Sequence, residues 1–262
     1  MERILLIDGD ITLYQIASKY QFKIDDVAYF DEEEAVRALN DNITDILVKT
    51  GFKDFIFCIS SDYNYRKMYF PTYKSNRKTE AKPIGLKILR DFVQGNEFWH
   101  KMKMVEHLEA DDVMGILASR EPDKYVIYSL DKDMKTIPAT LYSIRREKLI
   151  SYDTLEANRY LYKQILTGDV VDGYKGCPRI GKVKADKLID KCKSEWYMFV
   201  QLVRAYRKAY PEKTFDEVLR TIAEQAGQAR ILRCNDYDIK TNTISVWYPW
   251  RDFGNIKTRS QI

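Results

Sequence analysis

Cysteine and histidine are scarce in this sequence, and long apolar runs are missing. Four cysteines occur in 262 residues (Cys58, Cys177, Cys192 and Cys234), none in CxxC spacing. That scatter argues against a zinc site or a disulfide framework and points to a reducing compartment, the cytoplasm. Only His100 and His107 are available for histidine acid–base chemistry, and each is expected to be structural. No stretch of 18 apolar residues is present, so no membrane span is expected. The apolar run before Asp8 is too short for a secretory signal. Internal repeats and low-complexity tracts are absent as well.

What is present is charge, unevenly placed. The formal net charge is only +4, yet residues 63–82 hold six Lys/Arg against one acid, and residues 173–193 hold seven against two. Basic stripes on a nearly neutral chain read as a polyanion footprint; solvated lysine-rich faces are the plainer alternative for either one alone. At 45% hydrophobic residues, the chain can bury one large core or two smaller ones.

The apolar runs ILLID (4–8), FIFCIS (55–60) and VIYSL (126–130) read as buried strands. KMVEHL (103–108) and TLYSIR (140–145) read as further extended pieces. EEAVRALNDNITDILVK (33–49) carries apolar residues at helical spacing. Strands alternating with helices predict an α/β fold with a mostly parallel sheet. Beyond a boundary at 146–152 the pattern turns helical, as in FVQLVRAY (199–206) and FDEVLRTI (215–222).

Acids follow the strands. Asp8 ends the first, Asp62 follows the second, Asp131 and Asp133 follow the third, and Glu109, Asp111 and Asp112 stand where a helix begins. Each alone reads as a cap or a turn. Together they are expected to meet in the crevice at the carboxyl ends of the strands. Like charges about 4 Å apart repel by roughly 4 kcal/mol at an effective dielectric near 20, so the cluster calls for cations. Oxygen donors with almost no histidine suit Mg²⁺ or Mn²⁺ rather than zinc.

Two basic elements accompany the acids. Residues 166–189 place Asp169 and Asp172 before Gly173, Gly176 and Gly181, then a lysine-rich helix. Read alone, this is a helix–turn–helix-like clamp for a DNA backbone. Residues 61–78 interleave Tyr63, Tyr65, Tyr69 and Tyr73 with Arg66, Lys67, Lys74, Arg77 and Lys78. That alternation offers bases a stacking surface, or is an amphipathic surface helix with half-buried tyrosines.

IDGD (7–10), YKSNRK (73–78), LEADDVMG (108–115), SLDKDMKTIP (129–138), GDVVDGYKG (168–176) and GQARILRCNDYD (227–238) together resemble the 5′-nuclease (flap endonuclease) superfamily. More narrowly, they resemble the 5′→3′ exonucleases of podovirus-type bacteriophages. The resemblance implies a PIN-like α/β core over residues 1–148, with a basic, aromatic arch at about 62–82. It implies a helical part over 149–262, with a helix–three-turn–helix DNA-binding element at about 160–192. It implies one metal held by Asp8, Asp62, Glu109 and Asp111 and a second held by Asp131, Asp133, Asp169 and Asp172, with Asp112 bridging or nearby. Lys74 would approach the scissile phosphate. Arg66, Tyr73 and Arg77 would steady the 5′ strand, and Gly173, Gly176, Arg179, Gly181, Lys182 and Lys184 would grip duplex DNA, with K⁺ at the 173–181 turn. Arg179 stands where a glycine is common, and the arch is short.

The expected chemistry is two-metal hydrolysis of a phosphodiester near a 5′ end, with acids as ligands and no side-chain nucleophile. Expected substrates are duplex DNA with 5′ ends or flaps and RNA in RNA–DNA hybrids. A monomer is expected, working in the host cytoplasm if phage-encoded, with replication proteins as partners. A PIN-like ribonuclease on single-stranded RNA is the competing enzyme reading. A non-catalytic DNA-binding accessory protein and a Ca²⁺-binding protein are the competing non-enzymes.

Overall fold

The computed structural model describes residues 2–79, 81–95 and 101–253, so His100 lies outside the described residues. The chain opens with β1 (Ile4–Asp8), α1 (Gly9–Lys19), β2 (Gln21–Ile24), β3 (Val27–Phe30), α2 (Glu32–Thr50) and β4 (Phe55–Cys58). Next come α3 (Tyr65–Tyr69), α4 (Leu86–Gly95), β5 (Met102–Lys103), α5 (Ala110–Arg120) and β6 (Tyr125–Tyr128). β7 (Thr140–Ser143) and β8 (Lys148–Ser151) precede the helices α6 (Thr154–Thr167), α7 (Lys182–Ile189), α8 (Glu195–Ala209) and α9 (Phe215–Ala229). The pair β9 (Tyr237–Asp238) and β10 (Thr243–Ile244) comes last.

These elements divide into two units. The first takes Met1–Asn64, Glu80–Met134 and Ala139–Ser151; the second takes Tyr65–Thr79, Lys135–Pro138 and Tyr152–Ile262. The first unit is built on a six-stranded sheet in the order β5-β4-β1-β6-β7-β8. Every neighbouring pair in it is parallel except β7 with β8. The central strands are apolar throughout because both faces are covered. Leu5, Ile7, Phe57 and Val126 meet α1, α2 and α4 through Leu13, Leu39, Ile43 and Leu89. Leu6 and Ile127, one residue out of phase, are also fully buried, and α5 packs against β1, β4 and β6.

The sheet departs from expectation at its margins. Only Met102 and Lys103 of the 103–108 region and its approach pair as a strand, and His107 turns the chain with φ +65°. The exposed hairpin β2–β3 turns through Asp25 and Asp26, both at positive φ. Its Asp-Asp turn lacks the glycine that makes such hairpins legible in a sequence.

The second unit is helical. α6 starts in a reciprocal cap, Glu156 N–H to Asp153 at 2.7 Å and Asp153 N–H to Glu156 at 3.1 Å. Leu161, Tyr162, Ile165, Phe199, Leu202 and Ile222 form its core. Residues 65–79, expected with the first part of the chain, pack instead with this unit. The reason is internal: Tyr65 and Tyr73 are buried, and Arg66 lies between their rings and donates to the Arg230 carbonyl.

The tail residues 230–251 close on one buried acid. Asp236 is fully buried and accepts from Arg230 Nη2 at 2.8 Å, Arg251 Nη2 at 2.9 Å and the Arg233 N–H at 2.9 Å. Removing one member of such a group leaves buried charge uncompensated. Asp236→Ala is therefore expected to lower the unfolding free energy by about 3–5 kcal/mol in urea titration. A loss under about 1 kcal/mol would contradict this account.

Candidate active site and nucleic-acid interface

In the first unit the parallel strands β1, β4 and β6 end side by side, and each delivers an acid at that end. Asp8, only 3% exposed, caps α1 by accepting the Ile11 N–H at 3.2 Å and accepts the Ser129 hydroxyl at 2.6 Å. Ser129 Oγ accepts the Asp131 N–H at 3.0 Å, and the Asp131 carboxylate accepts the Asp133 N–H at 2.8 Å. Asp131 and Asp133 are half-buried, whereas Asp62 is exposed. At the start of α5, Glu109 and Asp111 are half-buried; Asp112 is fully buried and accepts the Glu109 N–H at 3.3 Å.

The electrostatics report crowding. Burial first, then repulsion from Asp10 and Asp131, raises the Asp8 carboxyl to about 6 against the pull of its hydrogen bonds from Ser129 and Ile11. Burial also pushes up the Cys58 thiol at the end of β4, with the charges of Asp8, Asp10 and Asp111 adding to it. Three acids from two segments therefore bear on the end of one strand.

The donor set is all hard oxygen, as Mg²⁺ or Mn²⁺ prefers. Among the described residues, no three acid, histidine or cysteine side chains close around one point to hold an ion. The four-acid cages expected from the sequence are thus not assembled as such. Mg²⁺ usually keeps several waters and takes one or two carboxylates plus substrate phosphates, and loosely grouped acids at a strand-end crevice fit that habit. Two further residues take part that sequence reasoning left out. Asp10 accepts from Arg90 Nη1 at 3.2 Å, and Arg90 Nη2 lies 3.4 Å from Asp62. Asp10 stood inside the IDGD motif, whereas a lone arginine on an amphipathic helix gives no signal.

The second unit holds the other expected residues. Asp169 accepts the Val171 N–H at 2.8 Å and pairs by backbone with Tyr174 at 2.9 and 3.1 Å. Asp172 accepts from Arg77 Nη2 at 2.7 Å, with Lys74 Nζ 3.9 Å away. The Lys74 N–H donates to the Asp172 carbonyl at 2.8 Å, so the YKSNRK block and the DVVD turn form one piece. Gly173, at φ +85°, lies where a Cβ would stand 2.7 Å from the Thr72 carbonyl; Gly176, at φ +68°, would meet the Gly168 nitrogen at 2.3 Å. Both glycines are required by packing within the protein. Gly181 caps α7 and faces open space.

Two expected strand contacts are corrected here. Arg66 and Tyr73 are 2% and 4% exposed, so they frame this unit and cannot reach a nucleic acid. Alternating cations and aromatics describe an internal cation–π stack as well as an external platform, and only tertiary packing separates the two. Tyr63 and Tyr69 remain exposed, at 71% and 60%.

A groove of about 790 Å³ runs between α7 and α8, with Ile180, Leu188 and Ala205 along it and Arg179, Lys184, Lys187, Arg204 and Lys208 among its lining. Adjoining furrows add Lys191 and Lys193 on one side and Arg207 and Lys213 on the other. The α8 cations went unread in the sequence. Their signal was available: Arg204, Arg207 and Lys208 alternate with the buried Leu202, Val203 and Tyr206.

Comparison with known proteins decides the family. Residues 3–159 match the family described as 5′-3′ exonuclease, N-terminal resolvase-like domain. The chain belongs to this family. It is a nuclease. The exonuclease of Escherichia phage T7 is 29% identical, over 94% of this chain and 93% of its own length. The exodeoxyribonuclease of Enterobacteria phage T3 is 29% identical over the same shares. Among solved structures, the T5 D15 protein co-crystallised with metal ions has a TM-score of 0.54 at 14% identity, covering 87% of this chain and 98% of that one. A T5 D15 flap endonuclease complex with DNA and metal ions has a TM-score of 0.53 at 15% identity, covering 86% and 99%. At such identities the likeness shows a shared fold. No helix among the described residues is long and apolar enough to cross a membrane.

Arg179 carries φ +63°, a left-handed conformation that its Cβ disfavours. In this nuclease, Arg179→Gly is expected to raise stability by about 0.5–1 kcal/mol, the left-handed penalty less the extra chain entropy of glycine. Urea unfolding measures it. A fall of that size would mean the arginine side chain holds the turn together.

Proposed function

We propose that this chain is a Mg²⁺-dependent 5′→3′ exonuclease and flap endonuclease that hydrolyses phosphodiesters near the 5′ ends of duplex DNA. The proposal includes RNA strands in RNA–DNA hybrids and a role in phage DNA replication, primer removal or host DNA degradation. The observation that carries it is the placement of Asp8, Asp62 and Asp131 at the carboxyl ends of neighbouring buried parallel strands, where burial first, then the charges of Asp10 and Asp131, raises Asp8 to about 6. Family membership supports the reaction class.

Asp8, Asp62, Glu109, Asp111, Asp131 and Asp133 would hold the divalent ions, with Mn²⁺ able to replace Mg²⁺; Asp112 orients the start of α5. Two such ions, when bound, would supply nucleophile activation and neutralise charge on the displaced phosphate. Asp8 is held by Ser129 and the first turn of α1, so its carboxylate is fixed before anything binds. Lys74 would place positive charge near the phosphate, and Arg77 fixes Asp172 beside it. Asp169 and Asp172 would serve as further ligands, a role that loss of cleavage in Asp169→Asn would support and unchanged cleavage would refute. The exposed cations of the α7–α8 groove, with Lys182, would follow the phosphates of the duplex arm, and carbonyls of the 173–181 turn would bind K⁺.

Two experiments test the reading. On a duplex labelled at either terminus, the wild-type chain with Mg²⁺ is expected to release short products from the 5′ label only, and none with a chelator. Asp131→Asn with Asp133→Asn should abolish that cleavage while duplex binding persists; turnover in the double variant would refute the assignment. Arg204→Ala with Lys208→Ala should weaken binding evenly across sequences. The same pair should flatten the log affinity against log salt slope by roughly 1.8. An unchanged slope would place the duplex elsewhere.

A further inference from the structure

Arg90 joins the acid-bearing segments of the first unit and has no task in the scheme above. From α4, its Nη1 donates to Asp10 at 3.2 Å, and its Nη2 donates to the Ser60 carbonyl at 2.7 Å and lies 3.4 Å from Asp62. Asp10 also accepts the Ser60 N–H, at 3.2 Å to each carboxylate oxygen, and the Ser60 hydroxyl. The oxygen of that hydroxyl accepts the Ala110 N–H at 2.9 Å, at the first residue of α5. Every partner lies beside an expected ligand. Asp10 is two residues past Asp8, Ser60 is two before Asp62, and Ala110 sits between Glu109 and Asp111.

One planar guanidinium thus ties the start of α1 to the segment after β4, and the Ser60 hydroxyl carries the tie on to the start of α5. A fork of fixed geometry suits that task; a point charge does not. With its side chain only 19% exposed, Arg90 is partly withdrawn from solvent, which strengthens its charge-assisted bonds. We infer that Arg90, acting through Asp10 and Ser60, is a positioning residue that sets the spacing of the metal-binding acids. This rests on the metal-dependent reading above.

The rival explanation is simple charge balance, and the two differ in sign. If Arg90 only offsets the acids, removing it makes the site more negative and tightens divalent binding. If it sets spacing, removing it loosens the ligands and weakens binding, as losing a partner that orients a ligand commonly does. The measurement is Mn²⁺ binding to the full-length chain without DNA, by electron paramagnetic resonance of free Mn²⁺. Arg90→Ala is expected to bind about tenfold more weakly. Arg90→Lys, which keeps the charge and loses the fork, should stay close to Arg90→Ala, and Ser60→Ala should lose affinity in the same direction. Cleavage by Arg90→Ala should recover as Mn²⁺ is raised.

Equal or tighter binding by Arg90→Ala, wild-type binding by Arg90→Lys, or cleavage still low at saturating Mn²⁺ would each overturn the inference. Should Arg90→Ala fail to fold, Arg90→Lys and Ser60→Ala decide it. A wild-type chain that binds no Mn²⁺ without DNA overturns this inference; if it also shows no Mn²⁺-dependent cleavage, the metal reading falls with it. A wild type that binds while the variants match it overturns this inference alone.

Discussion

The first unit is arranged around a carboxylate it can barely tolerate. Asp8 is 3% exposed, and both Asp10 and Asp131 press charge on it. Burial is the larger disturbance, and the two neighbouring charges add to it. The protein answers with donors aimed at the acids: the Ser129 hydroxyl and Ile11 N–H at Asp8, Arg90 and Ser60 at Asp10. These reduce the repulsion without removing it, and an added divalent cation would relieve the remainder. Strand end, helix start and the α4 arginine each give these acids a donor that holds them in place.

The strands and their acids were legible in the sequence because burial and function ask for the same letters. A parallel strand covered on both faces must be apolar throughout, and the helix after it needs a cap, so ILLID announces β1 and its acid together. The bland reading of these acids as caps and turns therefore holds alongside the functional one. Asp8 caps α1 and Asp131 holds a turn, yet both stand in the crowded cluster. Other features were not legible, for stated reasons. Arg90 works through partners 28 to 80 residues away. Arg66 and Tyr73 carry letters that fit an exposed platform, and only the packing of the second unit shows them inside it.

Left-handed non-glycine residues occur in both units, and in the second unit two of them are cations. Lys74 and Arg179 both take left-handed backbone conformations, at φ +51° and +63°. Neither is a residue that adopts them readily, and each costs about 1–3 kcal/mol unless neighbours compensate. Compensation is visible at both: the Lys74 N–H is held by the Asp172 carbonyl at 2.8 Å, and the Arg179 carbonyl accepts Lys184 Nζ at 2.9 Å. A glycine in either place would relieve the backbone strain at the cost of more chain entropy in the unfolded state.

The α7–α8 groove sets apolar residues among its cations. Lysine and arginine carry long methylene stems that can lie on apolar surface while their heads stay in water, and Ile180, Leu188 and Ala205 line the groove beside them. Stems held this way lose less freedom when the head meets a phosphate, which lowers the entropic cost of each contact. Heads at a rim touch backbone oxygens and leave base edges unread. Under the proposed exonuclease reading, which asks for action on ends of any sequence, cations that meet backbone oxygens would supply affinity without base-edge contacts.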